Sequence, residues 1–138
     1  MLFRSGRLVA LIPTSGTVVK SYISDDYGAT WSLAKSTDLG LSGARDEVSI
    51  EAVGDALVGI FADSTGAADA QVILSLDGGF AWVTVGTAAV DFRRCRMVTD
   101  AGRVLVAGRE GTSAIEVRPC AVGGALGDAV DKIGRAHV

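Results

Sequence analysis

With 138 residues, the chain has room for one domain with a real core and not for two comfortable ones. Apolar residues make up 49% and charged residues 21%, and two prolines are too few for a disordered linker or a collagen-like segment, so the chain is expected to pack. A net charge of -3 without a cluster of lysines excludes a dedicated nucleic-acid face, and no apolar stretch approaches a membrane span.

The opening stretch MLFRSGRLVALIP holds an apolar run of only six residues, shorter than the core of a secretory signal, and no small-residue cleavage pattern follows. Three short runs come first: RLVALIP (7–13), VVKSYIS (18–24) and TWSLAK (30–35). After the polar segment STDLGLSGARD (36–46) come EVSIEAV (47–53), ALVGIFA (56–62), AQVILS (70–75) and AWVTVG (81–86), separated by GD, DSTGAAD and LDGGF. The last group is DFRRCRMV (91–98), RVLVAG (103–108) and SAIEVRP (113–119), which fades into CAVGGALGD (120–128). Short β-branched or aromatic runs between Gly and Asp punctuators predict strands joined as antiparallel hairpins. Several runs are continuously apolar where a sheet with one wet face would alternate, so both faces are expected to be covered.

The groups repeat. LVALIP (8–13), LVGIFA (57–62) and LVAGRE (105–110) recur at spacings of 49 and 48, and Ser24 to Ser75 is 51, the period of a four-stranded propeller blade. The expected fold is all-β: a partial β-propeller of about two and three-quarter four-stranded antiparallel blades, with units near 1–36, 46–86 and 91–128. Fewer than three blades cannot close a ring, so the outer faces of the end units stay apolar and uncovered, and self-association is expected.

The last six residues, IGRAHV, coincide with the translation of a common sequencing adapter, whose two preceding bases also complete a lysine codon for Lys132. Residues 132–138 are therefore expected to be an adapter-derived tail, leaving 1–131 as the propeller region, and such scars are excluded from fold reasoning. His137 then carries no function.

Two stretches share one pattern of offsets. SDDYGATW (24–31) places Ser24, Asp26, Gly28, Thr30 and Trp31, and SLDGGFAW (75–82) places Ser75, Asp77, Gly79 and Trp82, with Ala81 at the threonine position. The pattern resembles the Asp-box, or BNR repeat, of sialidase-like β-propellers, and the likeness covers residues 7–118. An aspartate folding back on a hairpin loop accepts from backbone N–H groups that have no ladder partner, and glycine supplies the positive φ such a turn demands. Tryptophan then starts the next strand with a large apolar surface and an indole N–H that needs an acceptor. These residues are expected to be structural staples. One or two aspartates and a serine give too few oxygens for calcium.

In the propellers that this chain resembles, ligands lie over the central axis, on the face carrying the loops after each second strand and those between blades. The resemblance thus points to Arg45, Asp46, Asp63, Asp91, Arg109 and Glu110 as loop charges placed to meet a polar ligand. In DFRRCRMV, alternation puts Phe92, Arg94, Arg96 and Val98 on one face and Arg93, Cys95 and Met97 on the other. Arg94 and Arg96 are candidates for an anionic ligand, with salt bridges to neighbouring blades as the competing use. Cys95 and Cys120, without a CxxC, lack the ligand set of a redox or zinc site and read as two buried or idle thiols, with a disulfide as the alternative, and no metal or cofactor is implied.

The resemblance also implies what a sialidase would require: an arginine cluster clamping the substrate carboxylate, an aspartate acid/base, a tyrosine activated by glutamate, and an Arg-Ile-Pro sequence near the start. The nearest stretch here, LIP (11–13), has no arginine at that place. The expectation is a non-catalytic binding or assembly module of a larger Asp-box propeller protein, recognising carbohydrate, with the rest of the parent propeller as partner. A fragment of a sialidase-type exo-glycosidase and a protein-binding Asp-box scaffold are the alternatives.

Overall fold

A computed structural model describes residues 2–4, 6–14, 18–39, 47–63, 70–87, 92–100, 102–110, 114–120 and 131–133. Among them there is no helix, and twelve strands form three four-stranded antiparallel sheets, each meandering in sequence order. The first sheet comprises β1 (Leu2–Arg4), β2 (Arg7–Pro13), β3 (Val18–Ser24) and β4 (Ser32–Asp38); the second, β5 (Glu47–Val53), β6 (Ala56–Ala62), β7 (Gln71–Ser75) and β8 (Val83–Thr87). The third comprises β9 (Phe92–Asp100), β10 (Arg103–Glu110), β11 (Ala114–Cys120) and β12 (Asp131–Ile133). Four of the runs read from sequence, RLVALIP, VVKSYIS, EVSIEAV and ALVGIFA, are strands with those same limits. Lys132 and Ile133, assigned by sequence to the tail, pair with Glu116 and Ile115 in the third sheet.

The second sheet lies between the other two. One of its faces presents Leu57, Phe61, Ile73 and Trp82 to Val9, Leu11, Val19 and Ile23 of the first sheet. The opposite face presents Val58, Ile60, Val72 and Leu74 to Cys95, Met97, Val104 and Val106 of the third. All seven residues of β6 are consequently buried, which is why ALVGIFA is apolar at every position. Gly59 sits at the centre of this strand, where an added Cβ would lie 2.9 Å from Ile73 and 3.0 Å from Ile50.

Backbone pairing corrects the repeat. The tight hairpins pair Arg4 with Arg7, Val53 with Ala56 and Asp100 with Arg103, so equivalent residues stand 49 and then 47 apart. Leu8, Leu57 and Val104 are the true counterparts, and the 48-residue spacing matched similar letters one residue out of phase. Their partners Ser24, Ser75 and Cys120 are likewise equivalent, so Cys120 replaces the corner serine in the third sheet.

The sheets converge at their first strands, with β1 beside β5 and β5 beside β9. As the free edge of its sheet, β9 would expose unpaired N–H groups. A bulge sets Arg94 and Cys95 opposite Gly108, and Arg94 takes a φ of 53°. The Glu47 carboxylate accepts from the Arg94 N–H at 2.7 Å, and the Ser49 hydroxyl accepts from the Met97 N–H at 3.1 Å. Side chains of β5 thus complete the edge of the next sheet.

Candidate functional site

Two kinds of constellation stand out, the repeated corners and a cleft between the first strands. At the first corner the Ser24 hydroxyl donates to Asp26 Oδ1 at 2.7 Å and accepts from the Gly28 N–H at 2.8 Å. Asp26 also accepts from the Thr30 N–H at 2.8 Å and the Thr30 hydroxyl at 2.5 Å. The second corner repeats the set: Ser75 donates to Asp77 at 2.8 Å and accepts from Gly79 at 2.9 Å, while Asp77 accepts from the Ala81 N–H at 3.0 Å. Paired positive φ values turn the chain in both, 58° and 90° at Tyr27 and Gly28, 74° and 93° at Gly78 and Gly79. Each aspartate is consumed by its own loop, as an internal acceptor for otherwise orphaned N–H groups.

Electrostatics agree with that use. The Thr30 hydroxyl and N–H, with the Ser24 hydroxyl, hold the Asp26 carboxyl down at about 2. Partial burial pushes the Asp77 carboxyl up, but the Ala81 N–H and the Ser75 hydroxyl outweigh it and leave it lowered. Both therefore stay ionised as hydrogen-bond acceptors and offer no proton for acid catalysis near neutrality. A hollow of about 370 Å³ beside the first corner is lined by Asp25, Asp26, Thr30 and Phe80. Its Asp25 pairs with Arg7 at 2.7 Å, and Arg7 lies 5.2 Å from the Phe80 ring centre.

The cleft is different. It encloses about 400 Å³ and is lined by Leu11 of β2, Val48, Ser49, Ile50 and Glu51 of β5, and Arg96 of β9. Arg96 is exposed, donates from Nη1 to the Cys95 carbonyl at 2.8 Å, and has no ion-pair partner among the described residues. The expectation of a salt bridge for Arg94 or Arg96 is thus not met among the described residues. Arg94, Arg96 and Val98 are exposed while Cys95 and Met97 are buried. The alternation read from the sequence thus holds from Arg94 to Val98, while the bulge shifts the pairing register by one.

Of the other charges singled out by sequence, Asp63 is buried at the end of β6 and Arg109 is half-buried in β10, both engaged with other groups. Neither lines the cleft. Arg45, Asp46 and Asp91 lie outside the described residues. Cys95 and Cys120 are buried free thiols, pushed up to about 12 and about 11 by desolvation, with Glu47 adding to the effect at Cys95; neither can act as a thiolate near pH 7.

Ser49 and Glu51 escaped the sequence reading, although EVSIEAV carried their signal. Glu47, Ser49 and Glu51 alternate with Val48, Ile50 and Ala52, and those three apolar residues pack toward the first sheet. A polar stripe on the opposite side follows from period two. Compared with known proteins, the chain matches no protein-family model and no curated protein.

Proposed function

We propose that the three sheets are consecutive blades of an Asp-box β-propeller of the sialidase-like type, and that the chain is a non-catalytic binding module whose ligand, an acidic glycan, enters the cleft at the converging first strands. Arg96 carries the reading. Arg96, without a carboxylate partner among the described residues, offers donors to a sugar carboxylate, and Ser49 and Glu51 beside it offer acceptors to hydroxyl groups. The repeated corners support the blade assignment, since they hold the third turn of the first and second sheets by the same bonds. Stacked meandering sheets whose first strands meet support it too.

Binding is favoured over hydrolysis by the placement of the tyrosines. The chain has two, Tyr22 in β3 and Tyr27 in the first corner, and neither lines the cleft where a glutamate-activated nucleophile would have to stand. The test is an NMR titration of the chain with sialyllactose and, separately, with neutral lactose. Shifts confined to residues 48–51 and Arg96, specific to the acidic sugar and weakened about tenfold by Arg96→Ala, are expected for the loss of one charge-assisted contact. Shifts elsewhere, equal shifts with lactose, or turnover of a fluorogenic sialoside would overturn the proposal.

A further inference from the structure

Each interface between the described sheets joins two unlike faces, and the first and third sheets each turn one such face outward. The second sheet docks on the first through Leu57, Gly59, Phe61 and Ile73, received by Val9, Leu11, Val19 and Ile23. By hairpin register, Leu8, Ala10, Ile12 and Tyr22 occupy the docking places on the outer face of the first sheet. Leu105, Ala107, Ile115 and Pro119 occupy the receiving places on the outer face of the third. Ile12 is 47% exposed and Ile115 52%, whereas their counterparts Phe61 and Val19 are both at 0%.

We infer that a second copy of this chain covers these faces, stacking its first sheet on the third sheet of its neighbour, head to tail. The interface continues the one already formed twice inside the chain, and because the two faces differ it is heterologous rather than a pairing of like with like. The corner tryptophans fit this arrangement. Trp82 donates its indole N–H across the internal interface to Ser21 at 3.4 Å. The place of Ser21 on the third sheet is taken by Val117, which offers no acceptor. Trp31, the residue that would meet Val117, instead donates to its own Gly28 carbonyl at 3.2 Å and needs none.

Sedimentation velocity over a wide concentration range, with Ile12→Lys and Ile115→Lys, tests the inference. The unaltered chain is expected to form concentration-dependent oligomers, with Trp31 emission moving to shorter wavelength as they assemble. Each variant keeps one sound face, so each alone is expected to be monomeric with an unchanged far-ultraviolet spectrum. Their equimolar mixture is expected to give a one-to-one dimer that grows no further. Ile12→Ser and Ile115→Ser serve as milder replacements should either lysine prevent folding. A monomeric unaltered chain, a single variant that still dimerises, or a mixture that stays monomeric would each overturn the inference.

Discussion

The corner at 24–31 and the corner at 75–82 make the same bonds from serine and aspartate, yet their tryptophans live in different surroundings. Trp82 is 1% exposed, wedged against the first sheet, with its N–H on Ser21. Trp31 is only half-buried, because none of the described sheets lies on its outer side, and its N–H turns back to Gly28. One local motif therefore performs two tasks. Closing a turn depends on the loop alone, whereas locking two sheets together depends on what the neighbouring sheet presents.

If so, equal substitutions must have unequal effects. Trp82→Ala removes a fully buried aromatic from the interface and should lower stability by about 3 to 5 kcal/mol, against about 1 to 2 kcal/mol for Trp31→Ala, whose burial is partial. Urea denaturation of the two variants side by side reads the difference. Equal losses would mean that the tryptophans act only within their own loops.

The corner glycines give the next largest contrast. Both have φ near 90°, so alanine at either is strained by about 1 to 2 kcal/mol. A Cβ at Gly79 would also stand 2.7 Å from Val9 Cγ1 in the opposing sheet, while one at Gly28 would stand 3.3 Å from Leu8 Cδ1. Gly79→Ala should therefore cost about 2 kcal/mol more than Gly28→Ala, the usual scale of overpacking. Val9→Ala in the Gly79→Ala background should restore part of that loss, and absence of coupling between the two sites would break the argument.

Ser21 sharpens the comparison from the receiving side. Its hydroxyl donates to the Gly79 carbonyl and accepts from Trp82, so Ser21→Ala leaves two buried polar groups without partners. A loss of about 1 to 3 kcal/mol is expected by equilibrium denaturation. In a Trp82→Phe background the part of the loss that comes from the indole N–H should vanish, leaving only the cost of the unmatched Gly79 carbonyl.

The corners were legible in the sequence because their chemistry is local: Ser, Asp, Gly and Trp at fixed offsets suffice to write the turn. The seven residues of β6 were legible for a similar reason, since an unbroken apolar run needs cover on both faces. Ser21 was not legible, because nothing about a serine in VVKSYIS reveals that a tryptophan far along the chain will reach it. The bulge at Arg94 was hidden as well, since nothing in DFRRCRMV marks where two residues will face one on the neighbouring strand. β1 and β12, three residues each, are too short to display any period. Arg96 could be named from sequence, but the company of Ser49 and Glu51 arises only when β5 and β9 are laid side by side.

The smallest difference between the corners is the single hydroxyl of Thr30, absent at Ala81, and it should appear in acid. Asp26 is held at about 2, below its ordinary 3.8, by bonds that favour the carboxylate, the Thr30 hydroxyl foremost. A folded-state value below the unfolded one means that the contribution of Asp26 is fully present above the ordinary carboxylate range and is lost as the pH falls through about 2. Asp77 lacks a hydroxyl donor at the fourth position and balances its bonds against partial burial. Thr30→Ala should then raise the Asp26 midpoint toward its ordinary value, and Ala81→Thr should lower that of Asp77. Carboxyl-carbon NMR titration of both residues in both variants measures this directly. If Asp26 titrates in the ordinary carboxylate range in the unaltered protein, the bonds drawn to Thr30 and Ser24 do not persist in solution, and the common chemistry of the two corners goes with them.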